Sequence, residues 1–489
     1  MTDPKNKKWE AKKLFILLIL IFLLSLPFLN HWIRGDGVMY YAYLRSAILD
    51  GDLEFANDYR FGDEKSTVVM AGIGRTGTGK TRNLFGIGAS ILWLPFFLIG
   101  HLAAKIACLA GYELAMDGYT LPYRAAVCFG SALYGFAALL LCFRIASKYF
   151  SAKASFLAVV LIWFSSSLPV YMYFLPCLPN CCSFFSVTLF LYLWWIWRDR
   201  SGTWPRTFAL GLSAALMTMV KFSNLVFILP FVVDEAVRVL RREKGSFRKS
   251  MGTGIFHFLC LGAGLAVGLL PHFVVRKVID GTIFMSGYEG HPMYWASPYI
   301  FQVLFSSAHG LFTWTPVLLF GTAGLILFIR RERTVALALL LPYVTLLYIV
   351  ASWVEWWAGS SFGNRYFIVA TPLFVLGIAH IIDAKWRRPA SFAFAATGLF
   401  LIIWNLFFIF QWGKGLIPRE DYISWKDMIR NQFVYVPRYI GTEIAGYFTD
   451  RTVYQSELEK ENCETWQDTI RNEKRKLKRR DADIPKTKS

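Results

Sequence analysis

The chain has 489 residues, of which 55% are hydrophobic and 17% aromatic, with a mean hydropathy of +0.42 and a formal net charge of +19. Many apolar runs approach the ~20 residues that a helix needs to cross a bilayer, which excludes a soluble domain and predicts an all-α polytopic membrane protein. In such a protein Lys and Arg mainly fix topology, so the positive charge does not indicate a nucleic-acid partner.

The N-terminus predicts a retained membrane anchor, because lysines precede the apolar run 14–29 and no small-residue cleavage site follows. The first span is predicted at about 14–33. Further spans are predicted at about 122–143, 155–175, 181–197, 252–275, 312–329, 334–352, 366–383 and 390–411. A longer apolar stretch, 207–237, contains Lys221. Since a charge in mid-membrane is costly, two short helices are predicted to meet near this lysine.

The segment 84–110 is apolar enough to span but carries glycines, a proline and charged residues. If it does not cross, all the basic loops fall on the side of the N-terminus, as the positive-inside rule requires. These loops are 144–153, 198–206, 238–249, 330–333 and 385–388. We therefore predict a re-entrant or interfacial segment within a first outer loop of about 34–121, and eleven crossings with the N-terminus in the cytoplasm.

This topology divides the chain into a membrane domain, residues 1–411, and a hydrophilic C-terminal tail, residues 412–489, on the outer side. The basic run 474–480 in the tail is of the kind usually placed inside, and it fits this topology least well.

The stretch after the first span, residues 34–46, combines one carboxylate with three tyrosines and two arginines. It predicts a short helix, with Tyr41 and Leu44 on one face, that lies on the membrane surface. Asp36 stands at its N-terminus, where it can cap the helix or act as a general base, and the two roles are compatible. Tyr40, Tyr41 and Arg45 are candidates for contacting an acceptor or positioning the loop.

Two patterns resemble known binding motifs but are interpreted differently. Residues 74–81 match the P-loop pattern GxxxxGK(S/T), yet the α/β context that such a loop needs is missing and the loop faces the side without ATP. Cys177, Cys181 and Cys182 lack the second pair of ligands that a zinc site needs, so we interpret them as buried small hydrophobic residues.

Two further outer-face stretches precede membrane helices. In residues 353–366, Arg365 follows a glycine-containing turn, where it can hold a phosphate bidentately or form an ion pair with Glu355 that pins the loop. In residues 306–312, His309 can contact a phosphate or an acceptor, or have a purely structural role.

Taken in order, six features resemble the bacterial GT-C glycosyltransferases related to protein O-mannosyltransferases and to the aminoarabinose transferase of lipid A. They are Asp36, the tyrosine-rich helix that follows it, the stretch 82–88 together with 93–96, Lys221, the stretch 306–312 and the stretch 359–365. The resemblance covers residues 10–410 and implies a GT-C fold and a polyprenyl-phosphate-linked sugar donor. By this resemblance Asp36 activates the acceptor.

Glycosyl transfer from a lipid phosphate needs cations for the departing phosphate, and Arg82, Lys221, His309 and Arg365 are the candidates. The loop 174–180 lacks the second acidic residue that members of this superfamily often carry there. No cofactor is therefore predicted, and a divalent metal site is doubtful.

The function predicted from these observations is sugar transfer to a lipid, glycan or protein acceptor on the outer face of a bacterial inner membrane. The alternative is a transporter or lipid flippase that uses charges such as Lys221, against which no internal repeat is evident. A third interpretation, a non-catalytic scaffold, predicts that Asp36→Asn is silent.

Overall fold

The structure is a computed structural model and describes residues 4–65, 74–198, 203–240, 247–283, 292–384 and 388–449. In these ranges the regular secondary structure is helical, with two isolated β-bridges and no strand. The basic run 474–480 lies outside the described residues, so its placement stays a prediction.

The helices are α1 (Pro4–Ser25), α2 (Asp36–Arg45), α3 (Ala56–Lys65), α4 (Gly88–Leu109), α5 (Leu121–Tyr149), α6 (Ala152–Ser165), α7 (Asn180–Trp197), α8 (Trp204–Val220), α9 (Leu229–Leu240), α10 (Phe247–Asp280), α11 (Ile300–Phe305), α12 (Leu311–Trp314), α13 (Val317–Phe328), α14 (Arg333–Ser352), α15 (Thr371–Asp383), α16 (Arg388–Gly413), α17 (Trp425–Arg430) and α18 (Val436–Thr449).

Eight helical segments in the described ranges are long and apolar enough to cross a membrane. They comprise α1, α4, α5, α7, α10, α14, α16 and α15 together with the turn before it. The predicted all-α polytopic class is thereby confirmed, whereas the number of eleven crossings stays a prediction.

The predicted break at Lys221 is confirmed. α8 ends at Val220, Lys221 is extended, and the 3₁₀ turn Phe222–Ile228 leads into α9. α8 is held against α10 by glycines, because a Cβ added to Gly264 would lie 2.1 Å from the carbonyl oxygen of Phe208. Such close backbone contact is typical of small residues between membrane helices.

α4 packs along the first half of α5. Trp93 Nε1 donates to Ser131 Oγ at 2.8 Å, and a Cβ on Gly100 would lie 2.8 Å from the carbonyl oxygen of Pro122. α5 meets the start of α7 farther along, where a Cβ on Gly135 would lie 3.2 Å from the sulfur of Cys181. α4 is itself long and apolar enough to cross a membrane, so the prediction that residues 84–110 are re-entrant or interfacial stays a prediction.

The helix α2 is not bare, because residues 37–44 are all buried within the protein; its position relative to the membrane surface stays a prediction. The helix is covered by α4 and by the segments on either side of it. Ser90 Oγ donates to the Tyr40 carbonyl at 2.7 Å, Asn83 Nδ2 donates to the Met39 carbonyl at 2.8 Å, and the Tyr41 hydroxyl donates to the Gly118 carbonyl. The apolar face of a helix can be read from the sequence, but the sequence does not show which later segments pack against the helix.

Residues 74–81 form a tight turn that binds the end of α10. Thr76 N donates to the Lys80 carbonyl at 2.8 Å, and Thr76 Oγ1 donates to the Ile279 carbonyl at 2.6 Å. The stretch joins no strand to a helix and its polar groups are engaged within the protein, which supports our interpretation of it as a structural loop. The three cysteines at 177, 181 and 182 are buried, as predicted.

The described part of the C-terminal tail packs on the helices. Tyr447 OH donates to the Phe28 carbonyl at 3.0 Å, and Gln432 Nε2 donates to the Trp404 carbonyl at 2.6 Å. Residues 412–449 therefore extend the helical bundle, although the predicted boundary at 411 would separate them from it.

Candidate functional site

The site is centred on an ion pair between residues more than 300 positions apart in the chain. Arg365 Nη2 donates to Asp36 Oδ2 at 3.1 Å, and the two side chains are 20% and 40% exposed. Asp36 is the first residue of α2 and follows the N-cap residue, Gly35. Its carboxylate pairs with Arg365 and does not occupy the N-cap position, and a carboxylate in this first turn is favoured by the helix dipole.

The backbone around Asp36 is fixed by the loop before α7. A Cβ on Gly37 would lie 2.8 Å from both the carbonyl oxygen and the sulfur of Cys177, so only glycine fits there without displacing that loop. The Cys177 thiol contacts the Arg34 carbonyl at 3.6 Å. The loop 174–180, which lacks a second acidic residue, therefore packs against the start of α2.

Arg365 is positioned by a rigid turn. Gly363 has a φ of +62°, and Asn364 Nδ2 donates to the Trp356 carbonyl at 2.9 Å. The alternative pairing of Arg365 with Glu355 is wrong, because Glu355 is exposed and Arg365 pairs with Asp36. The charge of Glu355 acts on Tyr366 instead.

Lys221 brings a second cation to the same place. Its Nζ lies 4.1 Å from the centroid of the Tyr366 ring, and its charge interacts with those of Asp36 and Arg365. The break between α8 and α9 thus has a clear role, since it delivers this ammonium to the site. Three segments that are remote in sequence meet here.

Two tyrosines line the ion pair. Tyr40 stacks on Phe85 with ring centroids 4.4 Å apart and interacts electrostatically with Arg365. The Tyr171 hydroxyl accepts a hydrogen bond from Phe362 N at 3.2 Å. It also interacts electrostatically with Arg365 and Asp36. The sequence analysis missed Tyr171, because a tyrosine within an apolar run carries no signal that separates it from core residues.

Among the described residues, no contact joins Arg82 to the group formed by Asp36, Arg365 and Lys221. Its carbonyl accepts from the Tyr59 hydroxyl at 3.2 Å. The stretch 82–88 is held instead by Arg276, which the sequence analysis missed. Arg276 Nη1 donates to the Asn83 carbonyl at 2.8 Å, and Nη2 donates to the Phe85 carbonyl.

His309 is buried, and its geometry favours the structural role. Its Nδ1 lies 2.7 Å from the Trp357 carbonyl oxygen, and its ring meets Trp314 edge-on with centroids 4.6 Å apart. Burial lowers the pKa of His309 to about 4, so the imidazole is neutral at physiological pH. A neutral, buried ring is a weak candidate for binding a phosphate.

Arg45 and Tyr41 point to the far end of α2. Arg45 Nε donates to the Asp117 carbonyl at 3.0 Å, and its guanidinium pairs with Asp50 and lies 3.8 Å from Asp58. Tyr41 bonds to the Gly118 carbonyl. Both residues therefore position the outer loop, which is one of the two roles proposed for them.

In the described ranges no three His, Cys, Asp or Glu side chains gather in a way that would hold a metal ion. The cations at Asp36 are the protein's own, Arg365 and Lys221. They stand where an anionic group would be stabilised next to a carboxylate.

No family model and no curated protein matches this chain. Three solved chains do match it. One is the archaeal oligosaccharyltransferase AglB from Archaeoglobus fulgidus, in complex with an inhibitory peptide and a dolichol-phosphate, with 13% sequence identity and a TM-score of 0.45. The match covers 89% of this chain and 55% of that chain, so this chain spans about half the length of that neighbour.

Proposed function

We propose that the protein is an integral-membrane glycosyltransferase that transfers a sugar from a polyprenyl-phosphate-linked donor to an acceptor hydroxyl. The observation that carries this proposal is the 3.1 Å pair of Asp36 and Arg365, with the charge of Lys221 beside it. The order of the motifs in the sequence, which resembles that of GT-C glycosyltransferases, supports the same reaction.

The chemistry requires a base and a cationic pocket. The Asp36 carboxylate accepts the proton of the acceptor hydroxyl while the hydroxyl oxygen attacks the anomeric carbon of the donor. The bond between that carbon and the phosphate oxygen breaks, and the lipid phosphate leaves with the electron pair. Arg365 and Lys221 stabilise the charge that develops on the leaving phosphate.

Arg365 can serve both partners. One guanidinium nitrogen holds Asp36, and its other N–H groups remain for two phosphate oxygens in the fork geometry that Arg provides. This arrangement would hold the general base and the leaving phosphate in a fixed position relative to each other. Since Arg365 and Lys221 already supply positive charge, the proposed reaction requires no divalent metal.

We further propose that the site faces the extracytoplasmic side of a bacterial inner membrane. With the opposite orientation the basic loops would lie outside the cytoplasm, against the positive-inside rule. Epitope tags inserted at Gly118 and at Ser151 test this orientation. The first should be accessible from outside and the second only after permeabilisation. The opposite pattern would invert the topology.

The activity is tested by incubating the purified enzyme with radiolabelled polyprenyl-phosphate sugars and an extract of bacterial envelope. Label should move from the lipid to another product, and Asp36→Asn should abolish the transfer. A transporter or flippase would leave the donor bond intact, and a scaffold would leave the Asp36→Asn strain unchanged. Mass spectrometry of the glycans of a deletion strain then identifies the sugar and the acceptor.

A further inference from the structure

The C-terminal helical segment, residues 425–449, lies across the ends of two membrane-length helices. α17, the π-helical turn Asn431–Tyr435 and α18 follow one another directly in this segment. Gln432 Nε2 donates to the Trp404 carbonyl in α16, and Tyr447 OH donates to the Phe28 carbonyl just after α1. Because a helix rises about 1.5 Å per residue, the segment spans roughly 20 Å between these two contacts. It therefore bridges α1 and α16 at their C-terminal ends.

The segment lies beside α16 and not beyond its end. Gln411 Nε2 donates to the Met428 carbonyl at 3.2 Å and to Gln432 Oε1 at 2.6 Å, and both glutamines are buried. Trp404 and Gln411 belong to the C-terminal half of α16, within the stretch Pro389–Gly413 that is long and apolar enough to cross a membrane. The segment is therefore placed at a depth where a membrane-crossing helix meets lipid.

The helix α18 presents three different faces, because residues three, four or seven positions apart point in the same direction. The face towards the protein carries Val436, Glu443 and Tyr447. The polar face is exposed and carries Arg438, Thr442 and Thr449. The third face, the apolar stripe, carries Ile440, Ile444 and Phe448. Ile444 is 40% and Phe448 46% exposed, so this stripe is directed away from the protein.

The apolar surface of the segment continues the lipid-facing surface of the membrane helices. On α16, the exposed Phe400 lies with its ring centroid 5.6 Å from that of Trp404. The Trp404 ring in turn lies 6.2 Å from that of Phe433, which is 64% exposed. At the other end, the Phe28 ring meets the Phe448 ring edge-on at 5.2 Å. Aromatic side chains of this kind are enriched where membrane helices reach the bilayer interface.

The amino-acid sequence that follows the segment is poorly suited to cover the apolar stripe. Half of the residues in 451–480 are Asp, Glu, Lys or Arg. Burying exposed apolar side chains requires apolar surroundings, which acyl chains provide and such a sequence does not. Lipid is therefore the cover that the stripe fits.

We infer that residues 425–449 form an interfacial helix, which inserts its apolar stripe into the lipid layer beside α1 and α16 and keeps its polar face at the headgroups. The part of the chain that follows α16 would then be a membrane element. Glu420, just before α17, accepts a hydrogen bond from Ser360 in the loop that carries Arg365. The helix would therefore fix the height of this loop relative to the lipid.

The test uses the purified full-length protein in nanodiscs of phosphatidylethanolamine and phosphatidylglycerol. The photoreactive amino acid benzoylphenylalanine, which forms a bond to nearby C–H groups on irradiation, replaces Ile444 or Phe448. Mass spectrometry should then find adducts with the acyl chains of the phospholipids. The same replacement of Thr442, on the polar face of this helix, is the matched control and should give far fewer adducts.

The other possible covers give different products. Cross-links to a second copy of the chain, or to residues after Thr449, would overturn the inference. Equal yields of lipid adducts at positions 442, 444 and 448 would overturn it as well, as would their absence at both 444 and 448.

Thermal unfolding in the same nanodiscs provides an independent measurement. A carboxylate among acyl chains is unfavourable, so Ile444→Asp should lower the unfolding temperature more than Thr442→Asp does. Ile444→Ala controls for the lost apolar side chain and should have a smaller effect than Ile444→Asp. Equal shifts for the two Asp variants would contradict insertion of the stripe into lipid.

Discussion

The two ends of α2 carry opposite charges, which differ in their exposure and in their binding partners. At its start, Asp36 is 40% exposed, and among the described residues its ion-pair partner is Arg365. At its end, Arg45 is 14% exposed and is bound by Asp50, by the Asp117 carbonyl and by the ring of Tyr119 at 5.5 Å. The carboxylate of Asp58, which is fully buried, completes this second group.

This difference teaches how to separate a reactive charge from a structural one when both lie in the same loop. The guanidinium of Arg45 has several partners at once, so its charge is already paired in the folded protein. The Asp36 carboxylate is accessible and lies beside the Arg365 guanidinium, an arrangement that suits binding and proton transfer. The predictions below test that contrast.

The largest effect is expected from neutralising the carboxylate at the start of α2. Asp36→Asn should fold normally yet lose at least ~100-fold in turnover, the range for removing a general base. Turnover with the radiolabelled donor measures it. Asp50→Asn is the matched control at the other end, where the loss of a surface ion pair costs ~1 kcal/mol or less and activity should change little. Equal effects of the two changes would erase the proposed contrast.

A somewhat smaller effect is expected at Arg365. Arg365→Lys should fold but weaken donor use ~10-fold, because an ammonium cannot hold two phosphate oxygens as a guanidinium does, and Arg365→Ala should be worse. Donor titration with each variant measures this, with thermal unfolding in parallel. Glu355→Gln is the control, since Glu355 does not pair with Arg365 and its loss should spare donor affinity. Wild-type donor affinity in Arg365→Ala would rule out the phosphate role.

The Arg45 end should respond through stability rather than activity. Burial raises the pKa of the Asp58 carboxyl to about 7, so the folded protein holds this proton more tightly than the unfolded chain does. Its contribution to stability is therefore present at low pH and is lost as the pH rises from about 4 through about 7, by roughly 2–4 kcal/mol. Asp58→Asn keeps an acceptor for the Tyr119 hydroxyl and should flatten that part of the pH dependence of the unfolding temperature. An unchanged slope in the variant would show that another group titrates.

The smallest effect is expected from removing divalent metal ions. Arg365 and Lys221 supply the positive charge at Asp36, and at the other end Asp50 is paired with Arg45. Dialysis against EDTA should therefore leave both turnover and unfolding temperature unchanged. A loss of turnover that Mg²⁺ or Mn²⁺ restores would place a metal at the Asp36 end, and a loss of stability alone would place it near Asp58.

Much of the fold could be predicted because membrane helices have a local signature. Apolar length is a property of contiguous residues, and it located most of the membrane-length helices and the start of α5. The break at Lys221 was also predictable, since a charge inside an apolar run is costly wherever the run folds. The site residues were predicted less well, because binding sites join segments that the sequence keeps apart.

The sequence by itself therefore determined the helical class and the positions of Asp36 and Arg365 as charged residues at helix starts. Only the tertiary structure decided that these two side chains pair and that Lys221 joins them. It also showed that α2 is buried and that Arg45 and Tyr41 turn away from the site. The physical reason is that hydropathy acts residue by residue along the chain, whereas ion pairs and hydrogen bonds depend on distances that exist only after packing.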